Sequence, residues 1–276
     1  MRSISALSDT LAVWTLKMAS EDLTPQHVTL QQQLQAERDA QNRLDELNSL
    51  KKTIRKVLKP YLDHQRESFE RVDELISVAM AMPTLPSEVA SPRSQQAVEQ
   101  DMLRAAVVLI HAYLEDFLRT IARELLPEAS VECLDKIPLA GLSGRPDKFS
   151  LGKLVRHKGK LVDDVLRESV SEHLDRSTFN NKGEIEHLLE TLGFELAPIK
   201  GYLVDIQEMM QRRHQIVHRA DRVNLIDSHA ELQSISPFDV SKWLRASSQF
   251  TDSLSLPLLE RLLPPEAKAY MFPEKT

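Results

Sequence analysis

Residues 103–125 read LRAAVVLIHAYLEDFLRTIAREL and carry a regular helical pattern. Their large apolar side chains recur every three or four positions and form one stripe, made of Leu103, Val107, Ile110, Leu114, Phe117, Ile121 and Leu125, with Val108 and Leu118 widening it. An apolar face this broad is typical of a helix that is buried in a protein core. We therefore predict a buried core helix over this stretch.

The composition of the whole chain extends this prediction to an all-α protein. Only seven of the 276 residues are glycine, and the long segments consist mostly of Leu, Glu, Gln, Ala, Lys and Arg. These residues lose little side-chain freedom in a helix, so they favour it. Hydrophobic residues make up 42% of the chain, which is enough for a proper core.

Charge, cysteine content and hydropathy exclude several classes of protein. The formal net charge of −6 argues against a protein that coats nucleic acid through bulk positive charge, although it leaves room for a local basic site. Cys133 is the only cysteine, so an internal disulfide and a zinc site built on several cysteines are excluded. A reducing cytoplasm is the expected location. Neither a signal peptide nor a membrane span is expected.

The first part of the chain predicts a helical hairpin. Residues 27–59 form a long polar helical pattern with an imperfect heptad rhythm, and residues 61–81 form a second one. Pro60 stands between them and is expected to end or kink the first helix, because proline lacks an N–H and clashes with the preceding turn. The pair either packs on another part of the protein or forms a coiled coil that joins two copies.

Domain boundaries follow from a proline-rich stretch. Residues 83–97 contain Pro83, Pro86 and Pro92 among several serines, which is typical of a linker. We therefore expect an N-terminal helical region over residues 1–82, a helical domain over 98–258 and a C-terminal tail over 259–276.

The residues best suited to chemistry lie in a segment that reads RRHQIVHRAD over residues 212–221. It closes an amphipathic helical pattern over about residues 198–219. Two histidines and four arginines fall within the eleven residues 212–222. These side chains suit the binding or cleavage of a phosphodiester, because arginine holds phosphate oxygens and histidine transfers protons near neutral pH.

The segment around Arg213 resembles the signature of a known protein family. HEPN domains are helical bundles recognised by an arginine, a polar residue after it and a histidine several residues further on. Arg213, His214 and His218 match that pattern, with four residues between Arg213 and His218.

Two further segments agree with the resemblance. Residues 104–118 look like the early helix of the family, which often carries an acidic residue at the place of Glu115. Phe179-Asn180-Asn181, followed by Leu192-Gly193, resembles the HEPN subgroup first noted beside RNA-ligase and phosphatase-type genes. The resemblance covers about residues 97–256 and leaves residues 1–82 unexplained.

The resemblance implies an all-α, HEPN-like helical bundle, preceded here by the helical hairpin. It implies a metal-independent endoribonuclease, without a cofactor, in a bacterial defence or toxin–antitoxin-like system. The implied partners are an RNA substrate, a second copy of the chain, and an antitoxin or a subunit of a defence complex. The alternatives are a non-catalytic HEPN interaction or scaffold module and, if residues 27–81 dominate function, a coiled-coil adaptor. Some HEPN toxins are neutralised by the addition of AMP to a tyrosine at the position where this chain has Ala220. Neutralisation by that route is therefore not expected here.

Metal-free cleavage of RNA requires a base for the ribose 2′-OH, an acid for the leaving 5′-oxygen and a cation for the pentavalent phosphorane. His218 suits the proton transfers, and the planar fork of Arg213 suits the phosphorane. The two residues are five positions apart, so in a regular helix they point ~140° apart. Either the helix unwinds near His218, or two copies meet across a two-fold axis and share a composite site.

The other polar residues near the motif have two interpretations each. His214 orients Arg213 or the substrate, or it forms a metal-binding pair with His218, although no carboxylate–histidine set completes that pair. Glu115 belongs to the site or pairs with an arginine where the core helix meets an interface. Arg212 and Arg219 face the substrate or are simply solvated.

Overall fold

The computed structural model describes residues 30–81, 95–141, 151–223 and 232–271. Within these ranges the chain forms eight α-helices and two 3-10 segments, Leu126–Glu128 and Leu151–His157. The helices are α1 (Leu30–Ala81), α2 (Gln95–Leu125), α3 (Val131–Leu134), α4 (Val162–Arg176), α5 (Lys182–Thr191), α6 (Tyr202–Arg219), α7 (Pro237–Leu262) and α8 (Pro265–Met271). The described residues contain no β-strand, and Arg222 and Leu232 form an isolated antiparallel bridge. The all-α prediction is confirmed.

Helix α2 is the buried core helix that its apolar stripe predicts. The stripe residues Leu103, Val107, Ile110, Leu114, Phe117, Leu118 and Ile121 are all buried. Helix α2 packs against α6 and α4, so the apolar faces of three helices meet along it. The core helix thereby holds α6, the helix that carries the arginine–histidine segment.

The predicted helical hairpin is wrong, because one continuous helix spans Leu30–Ala81 and passes through Pro60. A proline inside a helix removes one backbone hydrogen bond and clashes with the preceding turn, but a local bend can accommodate it. Strong helix formers next to it, such as Lys59 and Leu58, favour continuation.

The chain divides into two compact units, and the larger of them is Tyr61–Leu258. In this unit α1 contributes Phe69, Val72, Ile76 and Ala79, which are buried and recur at helical spacing. The larger unit therefore begins inside the region expected to be a separate N-terminal part. The predicted linker over residues 83–97 lies mostly outside the described residues, and α2 begins at Gln95.

Helix α6 ends in a left-handed turn. Ala220 caps the helix with a φ of 49°, and Asp221 follows with a φ of 57°. The Ala220 N–H donates to the Gln215 carbonyl, and the Asp221 carbonyl accepts a hydrogen bond from Gln233 N at 2.8 Å. The turn sends the chain sharply away from the helix axis and brings Asp221 back against α2. In the described residues, no helix is long and apolar enough to cross a membrane.

Candidate functional site

The arginine–histidine segment lies at the C-terminal end of α6, as its position in the helical pattern predicts. Its side chains point to three different sides of the helix. Arg212 is buried, Arg213 is half-buried, and His214 and His218 are exposed. Each side has a different set of neighbours, so the segment has distinct structural and solvent-facing parts.

Arg212 forms part of a buried ion-pair cluster with Asp221. Asp221 Oδ2 accepts from Arg104 Nε at 2.6 Å and from Arg212 Nη2 at 2.8 Å. Both guanidinium groups also donate to the Gln233 carbonyl, each at 2.8 Å. Burial lowers the pKa of Arg212, and the neighbouring Arg104 adds to that effect while Asp221 opposes it. The cluster ties the end of α6 to α2.

Of the two alternatives for Arg212, simple solvation is wrong, because Arg212 is 7% exposed. The physical reason is its position on α6. Arg212 follows Met209 on the face of α6 that packs inward, where only a paired guanidinium can be buried at low cost. Its role is to position the end of the helix.

Arg213 lies near the buried histidine of α2. The Nε atom of Arg213 is buried and has no hydrogen-bond partner in the described part of the chain. His111 is 2% exposed, and its Nε2 lies 3.2 Å from the Phe179 carbonyl. Burial lowers the pKa of His111, and the charge of Arg213 lowers it further. A neutral His111 with its proton on Nε2 donates to Phe179, and it adds no second positive charge beside Arg213.

Glu115 is held by an arginine outside the motif. Its carboxylate accepts from Arg119 Nη2 at 2.9 Å and from Phe179 N at 3.4 Å. Arg119 also donates to the carbonyls of Leu174 and Ser177, which joins α2 to the end of α4. The structure therefore places Glu115 in an ion pair within α2, one turn away from His111.

The two motif histidines form an exposed pair at the end of the helix. The ring centroids of His214 and His218 lie 4.7 Å apart, with the planes inclined at 44°. Arg219, also exposed, follows directly, and its side chain makes no hydrogen bond or ion pair to the described residues. Three groups that can bind or protonate phosphate oxygens therefore face solvent at one place. In the described ranges, no three His, Cys, Asp or Glu side chains converge as metal ligands, so this pair has no third ligand there.

One of the two arrangements expected for Arg213 and His218 does not occur. Helix α6 continues to Arg219, so it does not unwind before His218. The two side chains therefore point ~140° apart around a regular helix. A single chain does not bring both side chains to one phosphate.

The sequence pattern assigns no role in the site to Arg104, His111 or Asp221. A signal for the first two exists, since Arg104 and His111 are seven residues apart on the otherwise apolar side of α2. Two helical turns separate them, so both polar groups face the same neighbouring helix. Polar residues in a buried stripe require partners, and here those partners are Asp221 and the Phe179 carbonyl.

Comparison with models of protein families found a match over most of this chain. The model of a family described as RiboL-PSP-HEPN matches residues 38–255. The matched region begins within α1, so it starts earlier than the resemblance at about residue 97 and takes in part of the long helix. Searches of curated proteins and of solved structures found no match.

Proposed function

Because the chain belongs to the RiboL-PSP-HEPN family, we propose that it is a metal-independent endoribonuclease whose catalytic residues are Arg213 and His218. The observation that carries this proposal is the placement of the motif. His218 is exposed at the end of α6, and Arg213 has a buried Nε without an acceptor in the described residues, beside a neutral His111. The guanidinium of Arg213 makes no hydrogen bond or ion pair to the described residues, so the part of this half-buried side chain that reaches solvent is available for an anion from outside.

The chemistry follows from the two residue types. The ribose 2′-oxygen attacks the adjacent phosphorus as a base takes the proton of the 2′-OH. The bond from phosphorus to the 5′-oxygen then breaks, and an acid protonates that oxygen. His218 supplies proton transfer, and Arg213 stabilises the charge that builds on the phosphorane oxygens. The products are a 2′,3′-cyclic phosphate and a 5′-hydroxyl.

A second copy of the chain completes the site in this proposal. Arg213 and His218 diverge within one helix, but a two-fold axis beside the end of α6 can bring Arg213 of one protomer to His218 of its partner. His214, whose ring lies beside that of His218, then orients the substrate or Arg213. Arg219 adds a cation that can contact a flanking phosphate.

The proposed setting is a bacterial defence or toxin–antitoxin-like system in the cytoplasm, with an antitoxin or a complex subunit as a further partner. Ala220 stands where some HEPN toxins carry the modified tyrosine, so silencing by addition of AMP at that position is not part of the proposal.

The divergence of Arg213 and His218 also favours a second candidate function. If two copies do not meet at the end of α6, the motif cannot act on one phosphate, and the domain is an interaction or scaffold module. Replacement of Arg213 or His218 would then change only the affinity of the chain for a partner.

The experiment that tests the proposed activity uses purified protein and RNA. We expect cleavage of single-stranded RNA to proceed unchanged in EDTA and to leave 2′,3′-cyclic phosphate ends, because the nucleophile is the internal 2′-OH. A single 2′-deoxy sugar at the cleaved position should stop cleavage there, and a deoxy sugar two nucleotides away is the matched control. Loss of activity in EDTA, or 5′-phosphate ends, would show that a metal-bound water is the nucleophile instead.

A further inference from the structure

A polar pocket of about 260 Å³ lies beside the motif, between α6 and the first turns of α7. The residues that line it include Glu208, Gln211, Arg212, Gln215, Asp239 and Trp243. They differ from the residues around His111, because Arg212 and Arg213 point to different sides of α6. The pocket therefore lies apart from the half-buried face of Arg213.

The charged groups of the pocket are largely neutralised by one another. Glu208 accepts from Lys242 Nζ at 2.6 Å and faces the Trp243 indole nitrogen at 3.4 Å. The Arg212 guanidinium donates hydrogen bonds to the Asp221 carboxylate and to backbone carbonyls. The charge of Asp239 lies near enough to Arg212 to oppose in part the lowering of the Arg212 pKa by burial. A phosphate gains little in such a site, whereas a neutral polar group can be bound.

Two pocket residues retain unused hydrogen-bonding capacity. Gln211 is exposed, and its side-chain amide makes no hydrogen bond to the described residues. The Asp239 carboxylate makes no hydrogen bond or close ion pair to them either. The pocket thus offers an amide that both donates and accepts and a carboxylate that only accepts, and the largely buried Trp243 closes it on one side.

The pocket adjoins the exposed histidines. Gln211 and His218 are seven residues apart, so they lie on nearly the same side of α6. Gln215 precedes His218 by three residues, which corresponds to a rise of ~4.5 Å along the helix. This separation is within the reach of one nucleotide, so a base next to a phosphate at His218 can enter the pocket.

We propose that this pocket binds an unpaired nucleobase with an exocyclic amino group, next to the phosphate that is cleaved. The assignment of that phosphate rests on the proposed function. Unstacked bases of single-stranded RNA are recognised by aromatic side chains and by hydrogen bonds on their edges. The carboxylate of Asp239 accepts the amino N–H, and Gln211 pairs with the neighbouring ring atom. Uracil presents carbonyl oxygens to the carboxylate and is rejected.

Cytosine and uracil provide the sharpest comparison, because they have the same size and differ at this amino group. The probes are fluorescent tetranucleotides of 2′-deoxycytidine or of 2′-deoxyuridine, because the missing 2′-OH prevents cleavage. Fluorescence anisotropy measures the affinity of the protein for each probe. We expect the native protein to bind the cytosine probe about 10-fold more tightly, which is the scale of one well-formed contact to a base edge. Asp239→Asn should reduce that preference to about 2-fold or less, because the asparagine amide can accept from the amino group of cytosine or turn to donate to O4 of uracil. Gln211→Ala should reduce it as much, because it removes the second contact.

Matched variants separate base recognition from effects on folding. Asp163 is exposed and lies in the first turn of α4, and the half-buried Asp239 lies in the first turn of α7. Asp163→Asn therefore controls for the loss of a helix-terminal charge. Gln249→Ala controls for the loss of an exposed helical glutamine. Both controls should keep the native preference.

The binding readout also separates this proposal from the proposed activity. His218→Ala should retain the cytosine preference, because His218 lies outside the pocket. If the protein prefers cytosine but never cleaves RNA, the base pocket stands and the ribonuclease proposal fails. If the native protein binds both probes equally or binds neither, or if Asp239→Asn keeps the full preference, the pocket does not recognise a base and the inference is overturned.

Discussion

Replacement of His218 by alanine is expected to slow RNA cleavage by about 10²–10⁴-fold, the usual contribution of a positioned acid or base. His218 is exposed at the end of α6 and pairs only with the His214 ring in the described structure. Its removal therefore deletes a proton-transfer group without opening a cavity in the core. Single-turnover rates on one defined RNA, with the variant in excess over substrate, measure the effect on chemistry.

A second histidine provides the matched control for this prediction. His187 is exposed in the middle of α5 and makes no side-chain hydrogen bond or ion pair to the described residues. We expect His187→Ala to cleave at the native rate and both variants to unfold at the native temperature. Cleavage by His218→Ala within about threefold of the native rate would remove His218 from the mechanism, since a general acid or base contributes far more.

Replacement of Asp221 by asparagine is expected to lower the free energy of unfolding by about 3–5 kcal/mol. The side chain of Asp221 is 1% exposed and accepts from two buried guanidinium groups, Arg104 and Arg212. Without the carboxylate charge, the two arginines remain buried beside each other and lose the buried counter-charge that they share. Asparagine retains the size of the side chain and tolerates the φ of 57° at this position, so the substitution changes mainly the charge. Urea unfolding followed by circular dichroism measures the loss.

Asp101 provides a control on the same arginine. Its carboxylate lies 3.3 Å from Arg104 Nη1, but its side chain is 46% exposed. We expect Asp101→Asn to cost less than about 1 kcal/mol, because exposed ion pairs contribute little. Equal losses for Asp221→Asn and Asp101→Asn would contradict the account, since the buried cluster would then not hold the end of α6 to α2.

The local part of this structure is well predicted by sequence. The apolar stripe over residues 103–125 predicts α2 and its burial, and the motif lies at the end of α6 as its pattern indicates. Helical periodicity depends on neighbours within a few residues, so one sequence is sufficient to read it.

The sequence does not predict which side of α6 each arginine occupies. Arg212 and Arg213 are adjacent and chemically identical, but Arg212 is buried against Asp221 while Arg213 lies beside His111. The decisive partner, Arg104, is 117 residues from Asp221 in the chain. Pairing over such a distance depends on tertiary packing, which helical periodicity does not report.

At Pro60, by contrast, the local rule that proline interrupts a helix gives the wrong prediction. The clash of proline with the preceding turn predicts that the helix ends or kinks there, and α1 does not end but continues from Leu30 to Ala81. A cost of roughly 3 kcal/mol for one internal proline is small beside the total stabilisation of a long helix that buries Phe69, Val72 and Ile76.

The most direct test of a ribonuclease site shared by two copies is complementation between two inactive variants. Arg213→Ala and His218→Ala are purified separately, mixed, allowed to exchange protomers and assayed on one RNA in EDTA. In a mixed dimer, one site lacks both residues and the other combines the intact Arg213 of one protomer with the intact His218 of its partner. We expect the mixture to regain about a quarter of native activity. About half of the dimers are mixed after random exchange, and each mixed dimer holds one intact site of two. A mixture as inactive as either variant alone, under conditions in which protomers exchange and the native protein cleaves the same RNA, would contradict the shared site.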